Sequence, residues 1–317
     1  MILVTIGLIL IGMILVVLGA ETLVRGSSSF ALRMKISPLL IGLTIVAYGT
    51  SFPELIISTK AALESIGDIS IGNIVGSNIF NIALILGFSA IVRPLKVKSQ
   101  LVRKDTPVMI GVALLFLFFF RDFIISRVEG LLLFCGALIY TGIIIRSATR
   151  ERLLSKAENH LDEGLPRTLK NIWLDVGFIG VGFVLLFFGA NILVDNSVVL
   201  AQILGVSQAV IGLTIIAGGT SIPELATSIV AARHNQADIA IANVVGSNIF
   251  NILGIIGISS LIHPIQGFDI KMLDFYWMIG TSIILVPFLL TGFRLNRWEG
   301  FCLMASYFIY MFLLWPK

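Results

Sequence analysis

Residues 49–55 read GTSFPEL, and residues 219–225 read GTSIPEL. Each places a carboxylate, Glu54 or Glu224, inside an apolar stretch of about 20 residues, the length that crosses the hydrocarbon core of a bilayer. An ionisable side chain at that depth costs at least a few kcal/mol and as a rule faces a pathway or a partner, not lipid. A chain that does this twice, with the same neighbours each time, is organised around those two carboxylates.

The surrounding composition agrees. Of 317 residues, 57% are hydrophobic and only 13% charged, and the mean hydropathy is +1.02. Soluble domains carry roughly 25% charged residues, which excludes an ordinary globular protein. The apolar runs are read as ten spans, at about 2–24, 37–62, 70–92, 105–120, 127–146, 172–194, 207–232, 240–262, 272–292 and 298–315. The stretch Met1–Val24 is read as the first span, since it lacks the basic start and clean cleavage site of a signal peptide. Cys135 and Cys302 lie inside spans at non-equivalent positions, which argues against a disulfide or a thiolate metal site. The net charge of +4 fits basic loops facing anionic lipid better than a nucleic-acid partner.

The two halves are copies. Gly12 matches Gly182, Gly19 matches Gly189, Pro94 matches Pro264 and Tyr140 matches Tyr310, all at one shift of 170 residues. Between positions 41 and 95, 31 of the 55 residues are identical to those 170 positions on. A fixed-period match of this kind is duplication. Five spans per half is an odd number, so the second half enters the membrane in the opposite sense. The expected fold is therefore an all-α polytopic membrane protein of ten transmembrane helices in two inverted five-helix repeats, 1–146 and 171–317, with a site near the midplane. The only sizeable polar segment, residues 147–170, alternates basic and acidic side chains and reads as a solvated cytoplasmic linker. If the loops after odd-numbered spans share one side, that side holds 17 of the 22 Lys and Arg residues. The positive-inside rule then places those loops in the cytoplasm and both termini outside the cell membrane.

Within span two, Thr50, Ser51 and Glu54 stand at helical spacings that let all three face one point. Pro53 cannot donate to the helix, and with Gly49 it is expected to free carbonyls around Ala47–Gly49, which a cation or a water-filled cavity tolerates and lipid does not. Span seven repeats this with Thr220, Ser221, Pro223 and Glu224. Spans three and eight carry polar stripes, Asn73–Ser77–Asn81 and Asn243–Ser247–Asn251, beside Gly76 and Gly246, which suit close helix approach. A serine or threonine in a span commonly bonds its own backbone. Asn73 reads equally as ligand or interhelical glue, and Asn78 as glue. The paired glutamates carry the functional reading. Their surroundings offer hard oxygens only, with the three histidines in or beside loops. Such sets suit calcium, sodium or magnesium and not zinc or copper. Two carboxylates neutralise one divalent cation, and competition for them is a physical basis for exchange.

Paired GTSxPE segments, each followed by a GNxxGSNxFN-like segment in a five-plus-five repeat, resemble the alpha-repeats of the cation/calcium antiporter superfamily, in particular its prokaryotic sodium/calcium exchangers. The resemblance covers all ten spans. It implies that Glu54 and Glu224 bind calcium with help from Thr50 and Thr220. It implies flanking sodium sites at Ser51, Ser221, Ser77, Ser247, Ala47 and Ala217, and central positions for Asn81 and Asn251. In potassium-dependent members one central position is an aspartate; two amides here imply exchange without obligatory potassium. Proton-coupled members usually show GN in place of GTS, so sodium is the expected driving ion. No cofactor and no obligatory protein partner is expected beyond calcium, sodium and the bilayer. Spans one and six are expected to slide past the other eight helices. The rival readings are proton/calcium or sodium/magnesium exchange on the same fold, then a passive cation channel. An intramembrane enzyme is the weakest, with no HExxH, no GxSxG and no mid-span histidine.

Overall fold

The computed structural model describes residues 2–157, 169–204 and 217–314, with backbone alone at 150–157 and at Ala217. Its first helix, α1 (Ile2–Met34), is longer than the span expected from sequence. The polar residues Glu21–Arg25 do not end it. Arg25 lays its guanidinium over the Phe178 ring, 5.7 Å from the centroid, and Ser27, Ser28 and Ser29 are buried. The repeat-related helix α7 (Ile172–Ile203) likewise outruns its expected end.

Next come α2 (Pro38–Thr50) and α3 (Phe52–Leu63), two pieces bent by 47° about Ser51. Pro53 sits in the first turn of α3, where its missing N–H costs nothing. Then follow α4 (Gly67–Val92), α5 (Thr106–Phe119) and α6 (Arg127–Ala157). The second half gives a helical turn at Ala217–Gly219, then α8 (Ile222–Arg233), α9 (Ala237–Ile262), α10 (Met272–Leu290) and α11 (Arg297–Leu314). Among the described residues, six helices are singly long and apolar enough to cross a membrane, and the bent pair α2–α3 makes a seventh candidate. The start of expected span seven (207–216) lies outside the described residues, as does 158–168 of the expected linker. The linker's first residues, Ser147–Ala157, simply continue α6.

The protein is thus a multi-pass helical membrane protein whose centre is formed by α4 and α9. In their most apolar windows, 72% and 94% of residues are buried, against 22% in α1 and 28% in α7. The latter two present Leu3, Leu10, Ile14, Trp173, Val181 and Phe188 outward, as lipid-facing helices do. Side by side and antiparallel, α1 and α7 meet along a glycine seam. A Cβ on Gly12 would stand 2.8 Å from the Leu193 nitrogen, and one on Gly19 2.7 Å from the Leu186 nitrogen. Here small residues admit backbone-to-backbone approach that any side chain would prevent. At one end of this pair Asp175 is fully buried, accepting from Ser29 Oγ and from Arg33 Nε, both at 2.5 Å.

Two short antiparallel ladders tie the halves together. β1 (Leu95–Lys96) pairs with β4 (Arg294–Leu295), and β2 (Ile124–Ile125) with β3 (Ile265–Gln266). The two ladders are repeat-related, so the duplication seen in the sequence is also a symmetry of the fold.

Candidate functional site

Both helix breaks point into the space between α4 and α9. Thr50 closes α2, Ser51 is the break, and Glu54 lies in the first turn of α3, where the partial positive charge of a helix N-terminus favours an anion. Thr220, Ser221 and Glu224 occupy the same places at the start of α8. Glu54, Glu224, Ser51, Ser221, Ser247, Asn81 and Asn251 are fully buried, Thr50 and Ser77 nearly so. Asn73 is half-buried.

The bonding is crossed between repeats. Ser51 Oγ donates to Glu224 Oε1 at 2.9 Å, and Ser221 Oγ to Glu54 Oε1 at 3.0 Å. Ser221 also lies 3.2 Å from Ser77 Oγ. Thr50 Oγ1 is 3.1 Å from Asn243 Oδ1, and Thr220 Oγ1 is 3.5 Å from Asn73 Oδ1. Those asparagines in turn donate within their own repeat, Asn73 to Ser58 Oγ at 3.0 Å and Asn243 to Ser228 Oγ at 3.1 Å. Asn73 and Asn243 therefore brace the helix breaks through hydrogen bonds.

Of the carbonyls expected to be freed around Ala47–Gly49, that of Ala47 is engaged, by the Ser51 N–H at 3.1 Å and by side chains. Val46 and Ala47 oxygens lie 3.0 and 3.3 Å from Thr50 Oγ1, and the Ala47 oxygen also accepts from Ser247 Oγ at 3.3 Å. Thr50 has one hydroxyl proton, so it donates to one of Val46, Ala47 and Asn243 at a time. Gly246 makes the approach possible, since a Cβ there would stand 2.8 Å from Ala47 Cβ. Ala217 begins the equivalent turn in the second repeat, and its side chain lies outside the described residues.

At the centre, four amides interlock. Asn81 donates to Asn248 Oδ1 at 2.9 Å and Asn251 to Asn78 Oδ1 at 3.0 Å, while Asn78 and Asn248 donate to each other's backbone oxygens at 3.2 and 3.1 Å. Asn78 is interhelical glue, as its position in the sequence implied. Asn81 and Asn251 lie at the start of π-helical stretches, Phe80–Leu86 and Asn251–Ile256. Such widened turns recur at functional sites, and no residue pattern announced these.

Of the buried oxygens without a hydrogen-bond partner among the described residues, four belong to this site: Glu54 Oε2, Glu224 Oε2, Asn81 Oδ1 and Asn251 Oδ1. Two carboxylate and two amide oxygens form a donor set that suits a hard cation. No group of three or more His, Cys, Asp or Glu side chains gathers among the described residues. Two openings reach this region along α7. One of about 340 Å³ lies between Thr50, Pro53 and Phe183, and one of about 360 Å³ between Thr220, Asn191 and Asp195.

Comparison with known proteins bears on this arrangement. The model of the family described as "sodium/calcium exchanger protein" matches residues 4–146 and again 174–315. The "Sodium/calcium exchanger MaX1" of Methanosarcina acetivorans is 33% identical over 97% of both chains. The "Putative antiporter CaxA" of Alkalimonas amylolytica is 36% identical over 98% of both. A solved structure of the sodium-calcium exchanger NCX_Mj, soaked without sodium or calcium, superposes with a TM-score of 0.86 at 29% identity, covering 99% of this chain and 100% of that one.

Proposed function

The chain belongs to the sodium/calcium exchanger protein family, and from that premise we propose that it is a secondary antiporter driving calcium across the membrane against sodium at the Glu54–Glu224 site. It is a transporter and not an enzyme. The carrying observation is the set of four partnerless buried oxygens, contributed symmetrically by the two repeats. Burying carboxylates without compensating charge is expensive, and a divalent cation between Glu54 and Glu224 removes that cost. Thr50 and Thr220, beside the carboxylates, supply further oxygens to calcium. Ser51, Ser221, Ser77 and Ser247 with the Ala47 and Ala217 carbonyls form the flanking positions for sodium. The hydroxyls of Ser51 and Ser221 keep lone pairs free while donating to the glutamates, so a monovalent cation can sit against them.

Ten spans, two five-helix repeats at 1–146 and 171–317, and a cytoplasmic linker at 147–170 complete the reading. The basic loops lie in the cytoplasm and both termini outside. Access alternates as the α1–α7 pair shifts along the core, opening one of the two cavities beside Thr50 and Thr220 at a time.

The test is calcium-45 uptake into proteoliposomes loaded with sodium and diluted into sodium-free buffer, beside a potassium-loaded set and a Glu54→Gln variant. Uptake that needs internal sodium and vanishes in the variant supports the proposal. Uptake indifferent to the sodium gradient overturns sodium coupling, and a steep dependence on a pH gradient instead would identify protons as the driving ion.

A further inference from the structure

Away from the glutamates, at the end of the molecule bearing the β1–β4 ladder, lies a cavity of about 690 Å³. Arg93, Lys96, Arg294 and Arg297 line it, together with Asn235 and neighbouring backbone, and no acidic side chain does. Lys96 and Arg294 stand directly opposite each other across the two-residue ladder. Like charges in that position destabilise a ladder unless something neutralises them. The acids on adjoining elements are engaged elsewhere. Asp238 pairs with Lys98 at 3.0 Å, and Glu299 accepts from Thr291 Oγ1 and the Asn296 nitrogen at 2.6 and 2.7 Å. Arg297 is also the first residue of the 18-residue helix α11, so the positive end of that helix adds to the field.

The duplication supplies an internal control. The repeat-related positions at the opposite end are His263, Gln266, Ile124 and Arg127, with a single permanent cation among them. The fold of the ladder therefore does not require four cations, and the basic cavity is particular to one end. Beside it, Trp298 is 72% exposed and stacks on Phe301, itself 54% exposed, with centroids 5.5 Å apart. An exposed tryptophan on a spanning helix marks the level of the lipid headgroups.

We propose that this cavity binds the phosphate of an anionic phospholipid, with Arg93, Lys96, Arg294 and Arg297 on the headgroup and Trp298 and Phe301 against the acyl chains. The inference rests on the chain's being embedded in a bilayer and is independent of which ions it exchanges. Clustered basic residues at the headgroup level attract anionic lipid, each cation contributing about a fivefold factor in affinity.

The experiment measures retained lipid by native mass spectrometry, and thermal unfolding, on purified protein in neutral detergent supplemented with phosphatidylglycerol, phosphatidylcholine or inorganic phosphate. Wild-type protein is expected to retain phosphatidylglycerol over phosphatidylcholine and to unfold at a higher temperature with it. The double variant Arg294→Gln/Arg297→Gln should bind it about thirtyfold more weakly. It should unfold like wild type in phosphatidylcholine, which shows that it folds. The variant Arg121→Gln/Arg127→Gln, with the same charge removed at the opposite end, should behave as wild type throughout. Equal loss in both variants, or none in the first, overturns the site. An equal effect from inorganic phosphate alone overturns the lipid assignment.

Discussion

Ser51 of the first repeat donates to Glu224 of the second at 2.9 Å, and Ser221 returns the same bond to Glu54 at 3.0 Å. Each carboxylate is thus held by the helix break of the opposite half. A movement of either break therefore pulls on the carboxylate of the other half. In the proposed site, replacing either glutamate by glutamine removes half of the charge that would balance a divalent cation. Glu54→Gln and Glu224→Gln are each expected to lower sodium-dependent calcium-45 uptake by about 100-fold or more, the loss of two or three kcal/mol of charge-assisted binding. Uptake within a few-fold of wild type in either would remove that glutamate from the site.

Ser51→Ala leaves Glu224 Oε1 without its donor. A hydrogen bond to a charged group contributes about 1.5–3 kcal/mol, so the half-saturating sodium concentration should rise by about tenfold or more. Ser51→Thr, which keeps the hydroxyl, should restore it. An alanine variant with unchanged sodium dependence would place Ser51 in a purely structural role.

Asn248→Leu keeps the branched shape but strands the Nδ2 of Asn81, which donates to Asn248 Oδ1. Interhelical hydrogen bonds in membrane proteins contribute about 0.6–1.7 kcal/mol, so unfolding in detergent should shift by an amount in that range. Loss of the lock should also weaken calcium binding at the proposed site, because the Asn81 amide is no longer held in place.

A Cβ on Gly49 would run into the ring of Phe183 on α7. Gly49→Ala therefore obstructs the contact along which α7 is proposed to move. Calcium affinity by equilibrium binding should hold while the exchange rate falls by about tenfold, the effect of roughly 1.4 kcal/mol on a barrier. Loss of both together would mean that Gly49 serves the site's shape and not the motion.

Arg33→Gln leaves the buried carboxylate of Asp175 with Ser29 alone among its side-chain donors. Removing one partner of a buried pair costs about 3–5 kcal/mol, reduced here because Arg33 retains 28% exposure. The thermal midpoint should fall, and Asp175→Asn added to it should recover part of the loss. Strict additivity of the two substitutions would show that they do not interact.

The duplication and the glutamate breaks were legible because both are local patterns at a fixed offset, with Pro53 and Pro223 marking where each helix must bend. The crossed serine–glutamate bonds were not, since the order of contacts between inverted halves is a property of their docking. Nor was the bracing by Asn73 and Asn243, whose stripe suggested a ligand as readily as a clamp. Hydropathy alone ends the first span near Val24, where the chain turns polar at Arg25. Phe178 and Asp175 on α7 turn Arg25 and Ser29 into packing. The Arg33–Asp175 pair spans 142 residues and falls at no repeat offset, so nothing in the pattern pointed to it.

That same pair breaks the molecule's palindrome. The positions related by duplication to Asp175 and Arg33 are Thr5 and Ile203, and neither is charged. If access alternates as proposed, two identical halves would make the inward- and outward-open forms equivalent by a two-fold rotation and of equal energy, occupied half and half at rest. A bond that exists at one end only lifts this degeneracy. Under the proposed alternation, the resting bias is then written in the few places where the halves have drifted apart, and not in the paired breaks where they have stayed the same.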